Sequence, residues 1–268
     1  MVTGSSFEDE RYWSARLEET FSLAGAGWLG LSEPFNRWMY AVRRRLFLRA
    51  VRAAVPERRS ARVLDVGSGT GFYVRLWHEL GVEQVTGSDL TEVAVARLNE
   101  RHPRDRFVQL DIATHFEDRD LGEFHAVSAM DVLFHIVDDD RYERAVGNLS
   151  RMLRPGGVLV FSENLLHGDS VRTRHQVSRD IGRIRSLLDR NELEVMTRRP
   201  MFVLMNTPVD SRSRLLHRWW GTLTAVLRRW PQTGRPLGAI LYPAELALTS
   251  MFSEGPSTEL VVCRKRIA

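Results

Sequence analysis

The chain has a single cysteine, Cys263. That excludes an intramolecular disulfide and a cysteine-based zinc site. Lysine is just as scarce: of the 38 Lys and Arg residues, all but Lys265 are arginine. No apolar run reaches the ~18 residues that a bilayer-spanning helix needs. No internal repeat or low-complexity tract interrupts the 268 residues. Met1 to Glu10 is polar and acidic, unlike a secretory leader. These absences lead us to expect a cytoplasmic, reducing setting. The length suits one large domain, or a domain with an added cap.

What is present is an ordinary globular balance, 43% hydrophobic and 27% charged, enough to build a full core. The net charge is +4. Arginine as the general solvated cation explains this, since acids are interspersed along most of the chain. An anionic partner (nucleic acid, a phosphorylated substrate or a membrane surface) is the other reading.

Phe7 to Phe21 mixes apolar and charged residues at helical spacing. Ser32 is a candidate N-cap with Pro34 in the first turn, opening a helix over Phe35 to Val55. Its apolar stripe runs from Phe35 through Trp38, Met39, Val42, Leu46, Phe47 and Val51 to Val55, with Arg43, Arg44, Arg45, Arg49 and Arg52 on the other face. From Arg62 short strands and helices alternate. Strands are expected at 63–66, 84–88, 107–111, 124–130 and 158–162, and helices at 72–80, 92–101, 141–153 and 174–190. A further strand falls within 193–206, and a last one at 259–264. This order implies an α/β, doubly wound, mostly parallel sheet with helices on both sides. Two more helices are expected at 213–230 and 237–251, the second with a break near Pro243.

The strongest motif is Val63-Leu64-Asp65-Val66-Gly67-Ser68-Gly69-Thr70-Gly71. An apolar strand ends in an acid and passes into alternating glycines, which suit close approach of a ligand to the backbone. A helix N-terminus follows, favouring an electron-rich ligand group. A dinucleotide site would want its third glycine where Phe72 stands, and Asp65 would sit poorly beside a pyrophosphate. An acid there suits a cationic ligand. Asp89, 24 positions further on, ends the next strand, where a carboxylate can accept ribose hydroxyls. Asp111 ends the third, placed to accept from an exocyclic amine. The plainer alternatives are that Asp89 caps the helix near Thr91 and that Asp111 holds a turn.

These residues, with Leu153-Arg154-Pro155-Gly156-Gly157, resemble the motif set of class I S-adenosylmethionine (SAM)-dependent methyltransferases across roughly residues 60 to 165. The resemblance implies a Rossmann-like, seven-stranded sheet with an antiparallel last strand. It also implies SAM as cofactor and S-adenosylhomocysteine as product. Gly67, Gly69 and Gly71 would line the methionine part, Asp89 the ribose and Asp111 the adenine, with Asp65, Ser68, Leu90 and Ile112 also among the cofactor-binding residues. Met130 and Asp131 would face the cofactor. The implied organisation is an N-terminal helical lid (1–59), a cofactor-binding core (60–206), a helical insert (207–256) and the core's final strand (257–268).

The motifs say little about the acceptor. A hydroxyl acceptor calls for a general base, and three histidines lie at or beyond strand ends: His135, His167 and His175. Glu163 and Asn164 are candidates to orient a substrate hydroxyl. Asp131 and Asp138 to Asp140 are possible oxygen ligands for Mg²⁺, but the latter look like a solvated turn capping the next helix, so no metal is expected. Base-amine methylation is disfavoured because Met130-Asp131-Val132-Leu133-Phe134 replaces the usual Asn/Asp-Pro-Pro-aromatic stretch. Nucleic acid is therefore an unfavoured partner, and RNA methylation a secondary reading. The insert carries Leu215, Trp219, Trp220, Leu223, Leu227 and Trp230. These residues would pack the helices onto the core, wall a pocket for a bulky apolar acceptor, join a homodimer, or touch a membrane surface beside Arg228 and Arg229. The favoured sequence-level function is methyl transfer to a small molecule, such as a natural-product, sugar or lipid-like hydroxyl. A non-catalytic SAM-binding regulator and a nicotinamide oxidoreductase are the alternatives from other classes.

Overall fold

The computed structural model describes residues 4–28, 30–114 and 122–267, so part of the polar start at Met1 to Glu10 lies outside the described residues. Three helices come first: α1 (Gly4–Glu19), α2 (Leu23–Ala26) and α3 (Glu33–Ala54). The alternating core follows as β1 (Arg62–Val66), α4 (Phe72–Glu79), β2 (Gln84–Asp89), α5 (Glu92–Arg101), β3 (Arg106–Gln109), β4 (Phe124–Ala129), α6 (Asp139–Arg151) and β5 (Leu153–Glu163). Next are β6 (Leu165–Leu166), β7 (Val171–Arg172), β8 (Val177–Asp180), α7 (Ile181–Arg190) and β9 (Leu193–Pro200). The chain closes with α8 (Arg214–Arg229), α9 (Gly234–Met251) and β10 (Glu259–Lys265).

Seven strands form one sheet in the order β3-β2-β1-β4-β5-β10-β9. Strand β10 runs antiparallel to both its neighbours, while the β1, β2, β3, β4 and β5 pairings are parallel. The sheet is covered on both faces, and side-chain alternation along β1 shows how: Val63 joins the cluster under α3 and α4, Leu64 the cluster under α6 and α7. Phe35, Val42, Phe47 and Val51 of α3 are fully buried on the first side, and Ala145 and Leu149 of α6 on the second.

Three expectations need correcting. The helix expected from Arg174 begins at Ile181, where the Asp180 side chain accepts the Arg183 N–H at 2.8 Å. The preceding residues form β7 and β8 because Arg179 is drawn inside: it is fully buried, with its guanidinium 3.7 Å above the Tyr142 ring and 3.0 Å from Asp139. The break near Pro243 is absent, and α9 runs through it. Pro243 and Ala239, whose carbonyl it deprives of a donor, are both exposed, so water can serve that oxygen. Arg43 leaves the solvated face of α3 and turns into the interior, as detailed below.

Helix α9 lies against α3. Trp38 Nε1 donates to the Arg235 carbonyl at 3.1 Å, and a Cβ on Gly238 would stand 2.1 Å from the Trp38 ring. Gly238→Val should therefore force the two helices apart and destabilise the fold by ~1–3 kcal/mol, read as a lowered thermal midpoint. An unchanged midpoint would show that the helix pair is loosely seated.

Candidate active site

Strand β1 has β2 on one side and β4 on the other, so the strand order reverses there. In an open α/β sheet that reversal makes a crevice beyond the carboxyl ends of the strands. Its floor is the loop between β1 and α4. Gly67 takes φ 70°, and a Cβ there would stand 2.3 Å from Val132 Cγ2, so both angle and space demand glycine. The Ser68 N–H donates to the Ser88 carbonyl at 2.8 Å, tying the loop to β2.

Asp89 fastens the same loop. Its Oδ2 accepts the Gly69 N–H at 2.8 Å, and its Oδ1 accepts the Thr91 N–H at 3.0 Å and the Thr91 hydroxyl at 2.8 Å. Thr91, not Asp89, caps α5. A carboxylate offers about four lone-pair sites, so a ligand hydroxyl can still be accepted. Burial raises the pKa of Asp89, and its amide and hydroxyl donors oppose that shift.

Asp65 does not line the cleft. It lies beneath the loop, 1% exposed, where the Ser128 hydroxyl donates to Oδ1 at 2.5 Å and Oδ2 has no partner. Burial pushes its pKa up to about 7, against the Ser128 hydrogen bond. Asp111 lies just past β3. Its Oδ2 accepts Arg141 Nη2 at 2.8 Å and its Oδ1 accepts the Ala113 N–H at 3.0 Å.

Asp131 follows β4 in the left-handed region at φ 58°, a conformation its hydrogen bonds maintain. Its N–H donates to the Ser162 hydroxyl oxygen at 2.6 Å, that hydroxyl donates to Oδ1 at 3.1 Å, and Oδ2 accepts Arg43 Nε at 2.8 Å. Arg43 arrives from α3, its guanidinium 5.1 Å from the Tyr40 ring centre and 4.8 Å from that of Phe202. This buried pair is why Arg43 is not on the solvated face.

The cleft encloses about 1060 Å³ including its open mouth. Of the expected cofactor residues, Gly67, Ser68, Gly69, Asp89, Leu90, Asp111, Ile112, Met130 and Asp131 line it, whereas Asp65 and Gly71 do not. Trp13 and Leu17 of α1, with Tyr40 of α3, close it from the N-terminal side. No residue of 207–256 lines it, so the insert is not a wall of this pocket. Instead Trp220, Leu223, Leu227 and Leu241 are buried in the core cluster that α3 shares.

The three histidines separate. His135 lines the cleft, and its Nδ1 lies 2.8 Å from the His175 carbonyl. A carbonyl only accepts, so Nδ1 carries the proton and Nε2 keeps its lone pair. Burial lowers the His135 pKa to about 4, the His175 carbonyl opposing. His167 lies in a separate depression, its Nδ1 2.6 Å from Asp210 and its Nε2 3.1 Å from Glu254. His175 starts no helix. It sits between β7 and β8, outside the cleft lining, with its ring stacked on Tyr12 at 4.3 Å. Glu163 is likewise removed from any substrate: it is fully buried, accepting from the Tyr142 hydroxyl at 2.9 Å and the Asn164 N–H at 2.9 Å. Asn164 Oδ1 accepts the Thr258 hydroxyl at 2.8 Å. Asp138 caps α6 through the Arg141 N–H at 2.9 Å, and Asp139 pairs with Arg172, Arg179 and Arg183.

Three cleft features escaped the sequence reading. Arg43 and Arg141 meet partners 88 and 30 positions away, a separation with no local signature. The Tyr73 hydroxyl is buried without a partner beside the cleft.

Residues 64–161 match a methyltransferase domain family. A malonyl-[acyl-carrier protein] O-methyltransferase of Enterobacter lignolyticus (strain SCF1) is 36% identical over 139 residues, covering 49% of each chain. One from Pectobacterium atrosepticum is 34% identical over 113 residues, covering 41% of each. The chain thus spans about half the length of the curated relatives it matches. Among solved structures, a magnesium protoporphyrin IX methyltransferase from Synechocystis PCC 6803 superimposes with a TM-score of 0.58 at 13% identity, over 97% of this chain and 99% of that one. At that identity the likeness speaks for the fold alone.

Sheet order and crevice define a Rossmann-like α/β fold of the nucleoside-binding kind. With the family match, residues 64–161 are a methyltransferase domain, set in the Rossmann-like fold that class I SAM-dependent enzymes share. The residues present fit that cofactor. Gly67 and Gly69 present bare backbone to the cleft, so a ligand can lie against the loop, and the unpartnered Asp65 Oδ2 beneath it suits a ligand carrying positive charge.

Asp89→Ala removes three hydrogen bonds that fix the loop. Affinity for S-adenosylhomocysteine should fall ~10- to 100-fold by calorimetry, and retained affinity would detach Asp89 from the site. Asp65 gives a pH signature: an acid titrating near 7 must ionise to favour a cationic ligand. Affinity for S-adenosylhomocysteine, which keeps an ammonium, should rise up to ~10-fold between about pH 6 and pH 8 and stay flat in Asp65→Asn. A flat profile for the native chain would uncouple Asp65 from the ligand.

Proposed function

We propose that the chain transfers the methyl group of SAM to an oxygen of a small, partly apolar acceptor, with His135 as general base. The observation that carries this reading is one cleft that brings together the glycine loop, Asp89, Asp111 and a histidine with a free ring nitrogen. SAM supplies an electrophilic methyl on a sulfonium. Gly67, Ser68 and Gly69 would hold its methionine part, Asp89 and Leu90 its ribose side, and Asp111 and Ile112 its adenine. Met130 and Asp131 would border the reacting end. The two relatives named as O-methyltransferases support oxygen as the acceptor atom.

Methyl transfer is an in-line displacement, so holding the reactants in line supplies much of the rate. Trp13, Leu17, Tyr40 and Phe72 offer an apolar wall for the acceptor and keep water out. His135 stays neutral above about pH 5 because its pKa lies near 4, so Nε2 can accept a hydroxyl proton across the physiological range. A carboxyl acceptor would need no base, because its oxygen is already anionic.

The two acceptor types part on one variant. Against a panel of phenolic, sugar and acyl acceptors, His135→Ala should cut kcat ~10²- to 10⁴-fold while leaving affinity for S-adenosylhomocysteine intact. At saturating cofactor, kcat of the native chain should hold steady down to about pH 5 and fall below it, as His135 takes up a proton. An undiminished kcat in the variant would remove the base and point to an anionic oxygen.

A further inference from the structure

Between Asp210 and Glu245 the chain carries no acid at all, yet it holds six arginines: Arg212, Arg214, Arg218, Arg228, Arg229 and Arg235. Their charge exceeds the +4 of the whole chain, so the remainder is slightly acidic. All six are exposed, and among the described residues none forms an ion pair. Cation excess is therefore concentrated in this segment, and Arg214, Arg218, Arg228 and Arg229 of it belong to α8.

Helix α8 explains what else the face offers. Its inner stripe, Trp220, Leu223 and Leu227, is buried in the core. A second apolar stripe, Leu215, Trp219 and Val226 at i, i+4 and i+11, falls within about 40° of the helix circumference. It continues into Trp230 at the C-cap. Leu215 is 77% exposed and Trp230 50%. Arg214, Arg218 and Arg229 flank this stripe on the side away from the core. We propose that the outer face of α8 docks on an anionic lipid surface, lying in the headgroup region with its arginines at the phosphates.

Tryptophan beside arginine is what a membrane–water interface takes up, and arginine stems can reach from an apolar stripe to charged headgroups. A second copy of the chain is a poor occupant, since two such faces bring arginine to arginine with no acid to meet them. Single-stranded nucleic acid is also poorly matched. It wants several free aromatic faces in succession, whereas Trp219 is tethered through Nε1 to the Leu204 carbonyl at 3.0 Å, Leu215 and Val226 are aliphatic, and Trp230 alone in the stripe presents an untethered ring. No helix among the described residues is long and apolar enough to cross a membrane, so contact would be peripheral. Helix α8 also touches the N-terminal segment from its inner side: Trp28 lies 5.3 Å from Trp220, and Arg228 Nε is 3.5 Å from the Gly30 carbonyl. Docking would thus bear on the chain leading into α3.

The test is sedimentation of the whole chain with vesicles of phosphatidylcholine alone or with phosphatidylglycerol added. A single-stranded RNA is the competing probe. Binding should require phosphatidylglycerol and weaken with salt. Arg214→Glu/Arg218→Glu and, separately, Leu215→Ser/Trp230→Ser should each weaken it at least ~10-fold, and thermal midpoints measured alongside show that each variant is folded at the assay temperature, since half of Trp230 is buried. No sedimentation with anionic vesicles, sedimentation indifferent to either variant pair, or tighter capture by RNA than by vesicles would overturn the proposal.

Discussion

Three hydrogen bonds to the Asp89 carboxylate hold together the part of the molecule on which the cleft depends. Through Gly69 they set the height of the glycine loop, and through Thr91 they join it to the start of α5. The loop has little freedom of its own, because Gly67 lies directly against Val132. Val132 follows Asp131, whose left-handed backbone is held by Ser162 from β5. The ends of β1, β2, β4 and β5 are therefore linked edge to edge across the crevice. A carboxylate that only received a ribose would leave this chain of contacts without its first member.

Helix α3 extends the same logic outward. One face is buried on the sheet, another sends Tyr40 to the cleft and Arg43 to Asp131, and Trp38 receives α9. The insert thus braces α3 from behind and does not line the cleft. A change in the seating of α9 reaches the cleft through one rigid helix of 22 residues. Trp38, Tyr40 and Arg43 lie within two turns of one another on α3, so the α9 contact and the Asp131 contact share the same stretch of helix.

What could be read in the sequence followed from how local its cause was. The parallel strands showed as apolar runs, and the cofactor loop as a glycine pattern with acids at strand ends, because each is fixed within a few residues. Nine of the eleven expected cofactor residues do border the cleft, and the other two sit beneath or behind the loop. The misreadings were of long range. The segment before Ile181 looked helical because its polar residues gave no sign that Arg179 is drawn under Asp139 and Tyr142. The three histidines looked alike at strand ends. What distinguishes them is the turn each occupies, and only His135 finds both the cleft and a carbonyl for Nδ1. The insert declared its helices through their stripes, but not the partner of each stripe.

The near-absence of lysine takes on physical meaning inside the fold. Arg43, Arg141 and Arg179 are held with little or no solvent contact, and Arg198 is paired with the fully buried Glu259. A desolvated ammonium tends to lose its proton, whereas a guanidinium keeps its charge and stacks flat on a ring, as Arg179 does on Tyr142. Substituting lysine at these positions would leave carboxylates such as Asp131 facing a cation with fewer donors and a heavier desolvation penalty. Arginine usage is therefore more than a surface habit in the core. On α8 the same residue type stands exposed and unpaired, and the difference between the two settings is the supply of acids. Where acids reach, arginine builds the interior. Where they stop, between Asp210 and Glu245, it leaves an open field of one sign.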